Sequence, residues 1–156
     1  MIIAGSRTID IAASPGLVWG LIADVTRMPE WSPHVVASSW LPPATGPVPG
    51  SRFTTTLRLP IVRRWTNTST VTTSTPTDTF AFNVGDDPED PNTRWSYTCQ
   101  AITAGTRVTE RWEMVREPRI VLVFYRLIRQ DRRLAIGVEQ TLARLKAAAE
   151  ELVDRT

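Results

Sequence analysis

Glu110 is the residue whose position most invites chemistry, because it shares one face of an alternating segment with Val108, Trp112 and Met114. A carboxylate among apolar side chains is costly to bury unless it is paired or reaches water. Arg7 comes within its reach if it lies on the inner face of a first strand with Ile9 and Ile11, opposite Glu110 in an antiparallel pair of terminal strands. With Tyr97 or Arg7 as its partner, Glu110 could orient a polar ligand group or move protons in acid/base catalysis. Two structural readings stand beside these: an ion pair at a cavity mouth, and a bulge that turns Glu110 outward.

The other reactive residue types point to structure. His34, the lone histidine, follows Trp31-Ser32-Pro33 and reads as a surface or capping residue. No Gly-x-Ser-x-Gly elbow is present, which argues against a hydrolase. Cys99 lies between Tyr97 and Ala101 on an apolar face and reads as inert packing. The segment from Gly85 to Asn92 is acidic, but it lacks the glycine and distal glutamate of a calcium loop, and Pro88 and Pro91 suit a solvated hairpin connection. No metal and no cofactor are expected. Arg126, Arg129, Arg132 and Arg133 read as the wet face of a helix.

Positioning Glu110 and Tyr97 requires a sheet, and the chain is patterned for one. Residues 2 to 12 read as a first strand. Ser14 then supplies an N-cap and Pro15 suits a first helical turn, so a short helix follows through Leu17, Val18, Leu21 and Ile22. Pro29 and Pro33 bracket a second short helix or turn. Clusters of Pro, Gly, Asp and Asn then cut the chain into six strands, at about 34 to 41, 51 to 59, 64 to 74, 78 to 84, 93 to 103 and 106 to 116. Short turns between successive strands favour an antiparallel meander. After Pro118 the period changes to that of a helix, with Val121, Phe124, Ile128, Leu134, Val138, Leu142, Leu145 and Leu152 on one stripe. Gly137, near the middle of that helix, marks a bend or a close approach to the sheet.

Alternation also sorts the faces. Phe53, Thr55, Leu57 and Leu59 fall together, as do Trp65, Asn67, Ser69 and Val71; Phe80, Phe82 and Val84; Trp95, Tyr97, Cys99 and Ala101; and the Glu110 set. These faces must meet the long helix. A curved sheet wrapped on one helix leaves space near the helix ends, and apolar walls with a few polar groups are what small-molecule sites present. The expected ligand-contacting residues are Phe53, Trp65, Asn67, Phe80, Phe82, Trp95, Tyr97, Glu110 and Trp112.

Composition bounds the rest. The 156 residues, 42% hydrophobic, suit one domain spanning 1-156. Eighteen Lys and Arg against sixteen Asp and Glu are scattered and leave a net charge of +2, so no nucleic-acid partner is implied. One cysteine excludes an intrachain disulfide and suits a reducing cytoplasm. The longest strongly apolar run, Ile120 to Tyr125, falls far short of the ~20 residues of a membrane helix. A soluble, cytoplasmic protein, monomeric or weakly homodimeric, is expected.

Two segments carry a family resemblance. Ile9-Asp10-Ile11-Ala12-Ala13-Ser14-Pro15 leads into Val18-Trp19, Ala23-Asp24 and Met28-Pro29-Glu30-Trp31-Ser32-Pro33, and the chain ends in Val138-Glu139-Gln140-Thr141-Leu142-Ala143-Arg144-Leu145-Lys146 with Glu150 beyond. This resembles the START-like polyketide cyclase/dehydrase and lipid-transport proteins, the SRPBCC superfamily, over essentially the whole chain. The resemblance implies an α+β helix-grip fold: a seven-stranded curved antiparallel sheet around a long C-terminal helix, with two short helices after the first strand. It makes Trp19 and Trp31 look like packing anchors of the short helices. It carries no single activity, because the fold serves binding, transport and catalysis alike. Three functions are therefore expected in order: binding or transport of a lipid-like, polyketide-like or aromatic molecule; a cyclase or dehydratase using Glu110 with Tyr97 or Arg7; and an interaction module with a filled core that docks a partner through Ile120 to Tyr125.

Overall fold

Strands form where β-branched and aromatic residues alternate with polar ones, and they end at the Pro- and Gly-containing breaks. The computed structural model describes residues 3–58, 64–116 and 130–156. In chain order it has β1 (Ile3–Ile11), α1 (Pro15–Ala23), a 3₁₀ turn (Val25–Arg27), α2 (Met28–Trp31), β2 (Val35–Trp40), β3 (Arg52–Leu57), β4 (Trp65–Thr75), β5 (Thr79–Val84), β6 (Thr93–Ile102), β7 (Gly105–Met114) and α3 (Gln130–Asp154). The expected strand, two short helices, six strands and C-terminal helix are all present. Leu59, Val121, Phe124, Arg126, Ile128, Arg129 and the run from Ile120 to Tyr125 lie outside the described residues.

One curved antiparallel sheet contains all seven strands in the order β1-β7-β6-β5-β4-β3-β2. Every connection from β2 to β7 joins spatial neighbours, and only β1 pairs with a strand distant in sequence. That closure sets Arg7 opposite Glu110 and Gly5 opposite Trp112. Gly5 is required there, since a Cβ would overlap the Trp112 ring. Register shifts at Val35/Ala37 and Val71/Thr73 interrupt the alternation.

The helices start as their sequences dictate. Ser14 Oγ accepts from the Leu17 N–H at 3.3 Å, capping α1, whose Val18, Leu21, Ile22 and Ala23 are buried. The Trp19 indole donates to the Thr79 carbonyl at 3.1 Å and ties α1 to β5. α3 turns Val138, Thr141, Leu142, Leu145 and Ala149 inward, spaced three and four apart. Its outer side reaches β1 twice and the residue after it once: Glu139 takes the Arg7 Nε–H at 2.9 Å, Lys146 donates to the Asp10 carbonyl at 3.1 Å, and Glu150 accepts from the Ala12 N–H at 3.0 Å. At Gly137 the close neighbour is the His34 imidazole, with Nε2 3.6 Å from where a Cβ would stand. The close approach expected at this glycine is thus to the link before β2 rather than to a strand.

Candidate functional site

The inner face of the sheet is a belt of edge-on and tilted aromatic contacts. Trp40 meets Phe53 with centroids 5.6 Å apart, Phe53 meets Phe82 at 5.2 Å, Phe82 meets Phe80 at 5.9 Å, and Trp95 lies 6.4 Å from Trp112. Phe53, Phe80, Phe82, Tyr97 and Trp112 are buried, while Trp95 and Asn67 are half-buried. Trp65 departs from the expected buried face: it is 53% exposed, and its indole N–H is taken by Asn67 Oδ1. The reason is positional, since Trp65 opens β4 and pairs with Leu57, the last residue of β3, at the end of that hairpin. Ala101 is exposed for a similar reason, lying one residue from the end of β6.

Glu110 sits inside this belt with only 2% of its surface exposed. The register places Tyr97 directly across from it on β6, and the phenol O–H donates to Glu110 Oε1 at 2.7 Å. Glu110 Oε2 has no hydrogen-bond partner among the described residues. Burial pushes the carboxyl up to about 7, against which the Tyr97 hydrogen bond pulls downward. Burial also raises the Tyr97 phenol well above its ordinary value, and the neighbouring Glu110 charge adds to this. Near neutrality the pair therefore exchanges one proton at the carboxyl while the phenol keeps its own.

Arg7 does not pair with Glu110. Its Cα is the register partner, as the antiparallel terminal strands require, but the side chain runs to Glu139 on α3 and to the Ser6 carbonyl, with the guanidinium 5.9 Å from the Trp112 ring centroid. A half-exposed guanidinium keeps its hydration and a carboxylate partner at the rim, whereas reaching Glu110 would strip both away. The bulge that would turn Glu110 outward is absent too, since β7 keeps unbroken register with both neighbours.

Trp31, read from sequence as a packing anchor, has a further feature. It is buried edge-on against Tyr97, with centroids 6.0 Å apart, and its indole N–H has no partner among the described residues. Ser38 Oγ on β2, Arg52 Nε on β3 and Thr70 Oγ1 on β4 are likewise buried without a partner among the described residues. Each such group costs roughly 1–3 kcal/mol when left unpaired. Trp31 is invisible to alternation because it sits on a helix of four residues.

Cys99 is buried, and burial, followed by the Asp78 charge, raises its thiol to about 11, far from a reactive thiolate. His34 is exposed. The acidic segment forms the β5–β6 connection, with Asn83 donating to the Pro88 carbonyl at 3.0 Å and the Glu89 N–H donating to Asp87 Oδ1 at 2.9 Å. Arg132 and Arg133 lie on the exposed side of α3. No helix among the described residues is long and apolar enough to cross a membrane.

A curved sheet gripping a long helix around a buried aromatic face with one carboxyl defines a helix-grip domain. The sequence matches the family model for polyketide cyclase / dehydrase and lipid transport over residues 3–150, and the chain belongs to that family. Membership supports hydrophobic ligand binding or polyketide-type cyclisation at the level of the family. The Polyketide_cyc-like protein Cgl2372 from Corynebacterium glutamicum is 30% identical, with a TM-score of 0.54, over 99% of this chain and 89% of that one. The di-domain ARO/CYC StfQ from the steffimycin biosynthetic pathway is 18% identical with a TM-score of 0.77, matched over 99% of this chain. The protein Ms6760 from Mycobacterium smegmatis is 19% identical with a TM-score of 0.70, over 96% of this chain and 92% of that one. The chain spans about half the length of the di-domain proteins it matches, 52% of StfQ and 50% of BexL. The curated proteins offer no match.

Proposed function

We propose that the protein binds or carries a hydrophobic small molecule, lipid-like, polyketide-like or aromatic, between the inner face of the sheet and α3. Phe53, Phe80, Phe82, Trp95 and Trp112 are its apolar walls, and the Tyr97–Glu110 pair fixes its polar end. The observation that carries this reading is the buried carboxyl with one oxygen unsatisfied in an aromatic interior. A core evolved only for packing gains nothing from such a group, whereas a ligand oxygen would satisfy it. Native mass spectrometry of freshly purified protein, beside the same sample denatured, should reveal a non-covalent mass that is lost on unfolding. An empty protein that also fails to take up a neutral hydrophobic dye would overturn the reading in favour of a filled interaction module.

A second reading, a cyclase or dehydratase, is favoured by the carboxyl at about 7 beside a phenol that holds its proton. Time-dependent conversion of a bound polyketide-like compound, lost in Glu110→Gln while binding is retained, would establish it. Binding without conversion across such compounds would leave the carrier.

A further inference from the structure

Among the described residues, one buried side chain is a carboxylic acid and none is a fully buried cation. The buried polar and charged side chains among them are Thr55, Ser69, Thr70, Thr106, Glu110 and Thr141, so the one of these that can carry a charge is a carboxyl, and burial keeps the nearby Tyr97 phenol and Cys99 thiol protonated. Arg7, the cation closest in register, is 41% exposed at the rim and committed to Glu139. The unsatisfied groups beside Tyr97 are one carboxyl oxygen of Glu110 and one N–H of Trp31.

An anionic head group finds little in such a site. A carboxylate, phosphate or sulfonate needs a cation or several converging N–H donors once it leaves water. Beside Tyr97, among the described residues, it would meet a single unpaired indole N–H and a second carboxyl. An uncharged oxygen meets no such penalty. A hydroxyl donates to Glu110 Oε2 and accepts from an N–H, and a ketone accepts from the Trp31 N–H or from a protonated Glu110.

We propose that the site selects uncharged hydrophobic molecules bearing a hydroxyl or keto oxygen and rejects their carboxylate counterparts, with Glu110 as the discriminating residue. This rests on the binding reading above and narrows it, since fatty acids and anionic lipids drop out of its ligand classes. A hydroxylated or keto-bearing polycyclic or aliphatic compound remains.

The test compares matched probes by calorimetric titration at about pH 8.5, where free carboxylates are fully ionised. The pairs are 2-naphthalenemethanol against 2-naphthoate, and decanol against decanoate. Wild type should bind the alcohol of at least one pair about tenfold or more tighter than its carboxylate. Glu110→Gln, checked by circular dichroism for an intact fold, should narrow that ratio severalfold by admitting the carboxylate. Equal or tighter binding of the carboxylates by wild type overturns the selectivity and leaves the binding reading standing. Discrimination undiminished in Glu110→Gln overturns the role of Glu110. Failure of both pairs to bind, in a protein that also carries no retained mass, overturns the binding reading and the selectivity with it.

Discussion

Glu110 ties the site to the stability of the protein through its proton. Its carboxyl titrates at about 7 when folded against an ordinary 4.5, so between those values the folded protein holds a proton that the unfolded chain releases. Stability from this group is complete below 4.5, falls as pH rises through the window by about 3 kcal/mol, and is level above about 7. Asp10, lowered chiefly by its Arg107 hydrogen bond, and Glu150, lowered chiefly by Lys146, act in the opposite sense, but only as the medium becomes more acid. Urea midpoints should therefore be lower near pH 8 than near pH 5 in the wild type and nearly equal in Glu110→Gln. Tyr97→Phe removes the hydrogen bond that holds the carboxyl down, and should move the Glu110 titration upward in carboxyl-carbon NMR. Sequence alone exposed Glu110, because a carboxylate among Val108, Trp112 and Met114 breaks the pattern. Its partner stays open between Tyr97 and Arg7 at the level of sequence. Placing the hairpin turn at Ala104-Gly105 slips the register, whereas Gly105 already belongs to β7 and the pairing of Ile102 with Gly105 carries Tyr97 opposite Glu110. The signal was Gly105 itself: its φ of +142° and a carbonyl of Ile11 where a Cβ would stand make glycine necessary at that strand start.

At the scale of elements, α3 is held to the sheet by burial rather than by its polar contacts. Leu145 is fully buried in the stripe facing the sheet, and Leu145→Ala should cost about 2–5 kcal/mol in chemical denaturation. Glu139→Gln, which loosens an ion pair whose two side chains are 41% and 58% exposed, should cost less than about 1 kcal/mol. If the two losses were similar, the helix would be an electrostatic clamp and the packing argument would fail. Elements were legible because hydrophobic period survives in long uninterrupted segments such as β6, β7 and α3. Where the register shifts, at Val35/Ala37 and Val71/Thr73, alternation misassigns faces: Ser69, Thr70 and Val71 are buried in succession. Arg7 shows the other limit. Its place opposite Glu110 follows from strand order, but its turn toward Glu139 depends on where a helix 132 residues later comes to rest.

For the whole molecule, ligand binding as proposed would be coupled to closure of the fold. β1 completes the sheet by pairing with β7, 101 residues on at Thr8–Thr109, and the same strand anchors α3. A ligand between sheet and helix would touch both partners of that closure, so its binding energy adds to the stability of the assembled state. At a free concentration of about one hundred times Kd the addition is about 2.7 kcal/mol, and for a domain of this size each kilocalorie raises Tm by roughly 2–4 °C. A retained or added neutral alcohol should therefore raise Tm by several degrees. Hydrogen exchange should slow together in β6, β7 and the buried stripe of α3 from Val138 to Ala149, because β6 and β7 carry the Tyr97–Glu110 pair and α3 packs on β1, the strand paired with β7. Protection confined to the surface loops at Leu41–Ala44 and Pro49–Arg52, with α3 unchanged, would place the ligand on the outside and remove the grip from its mechanism.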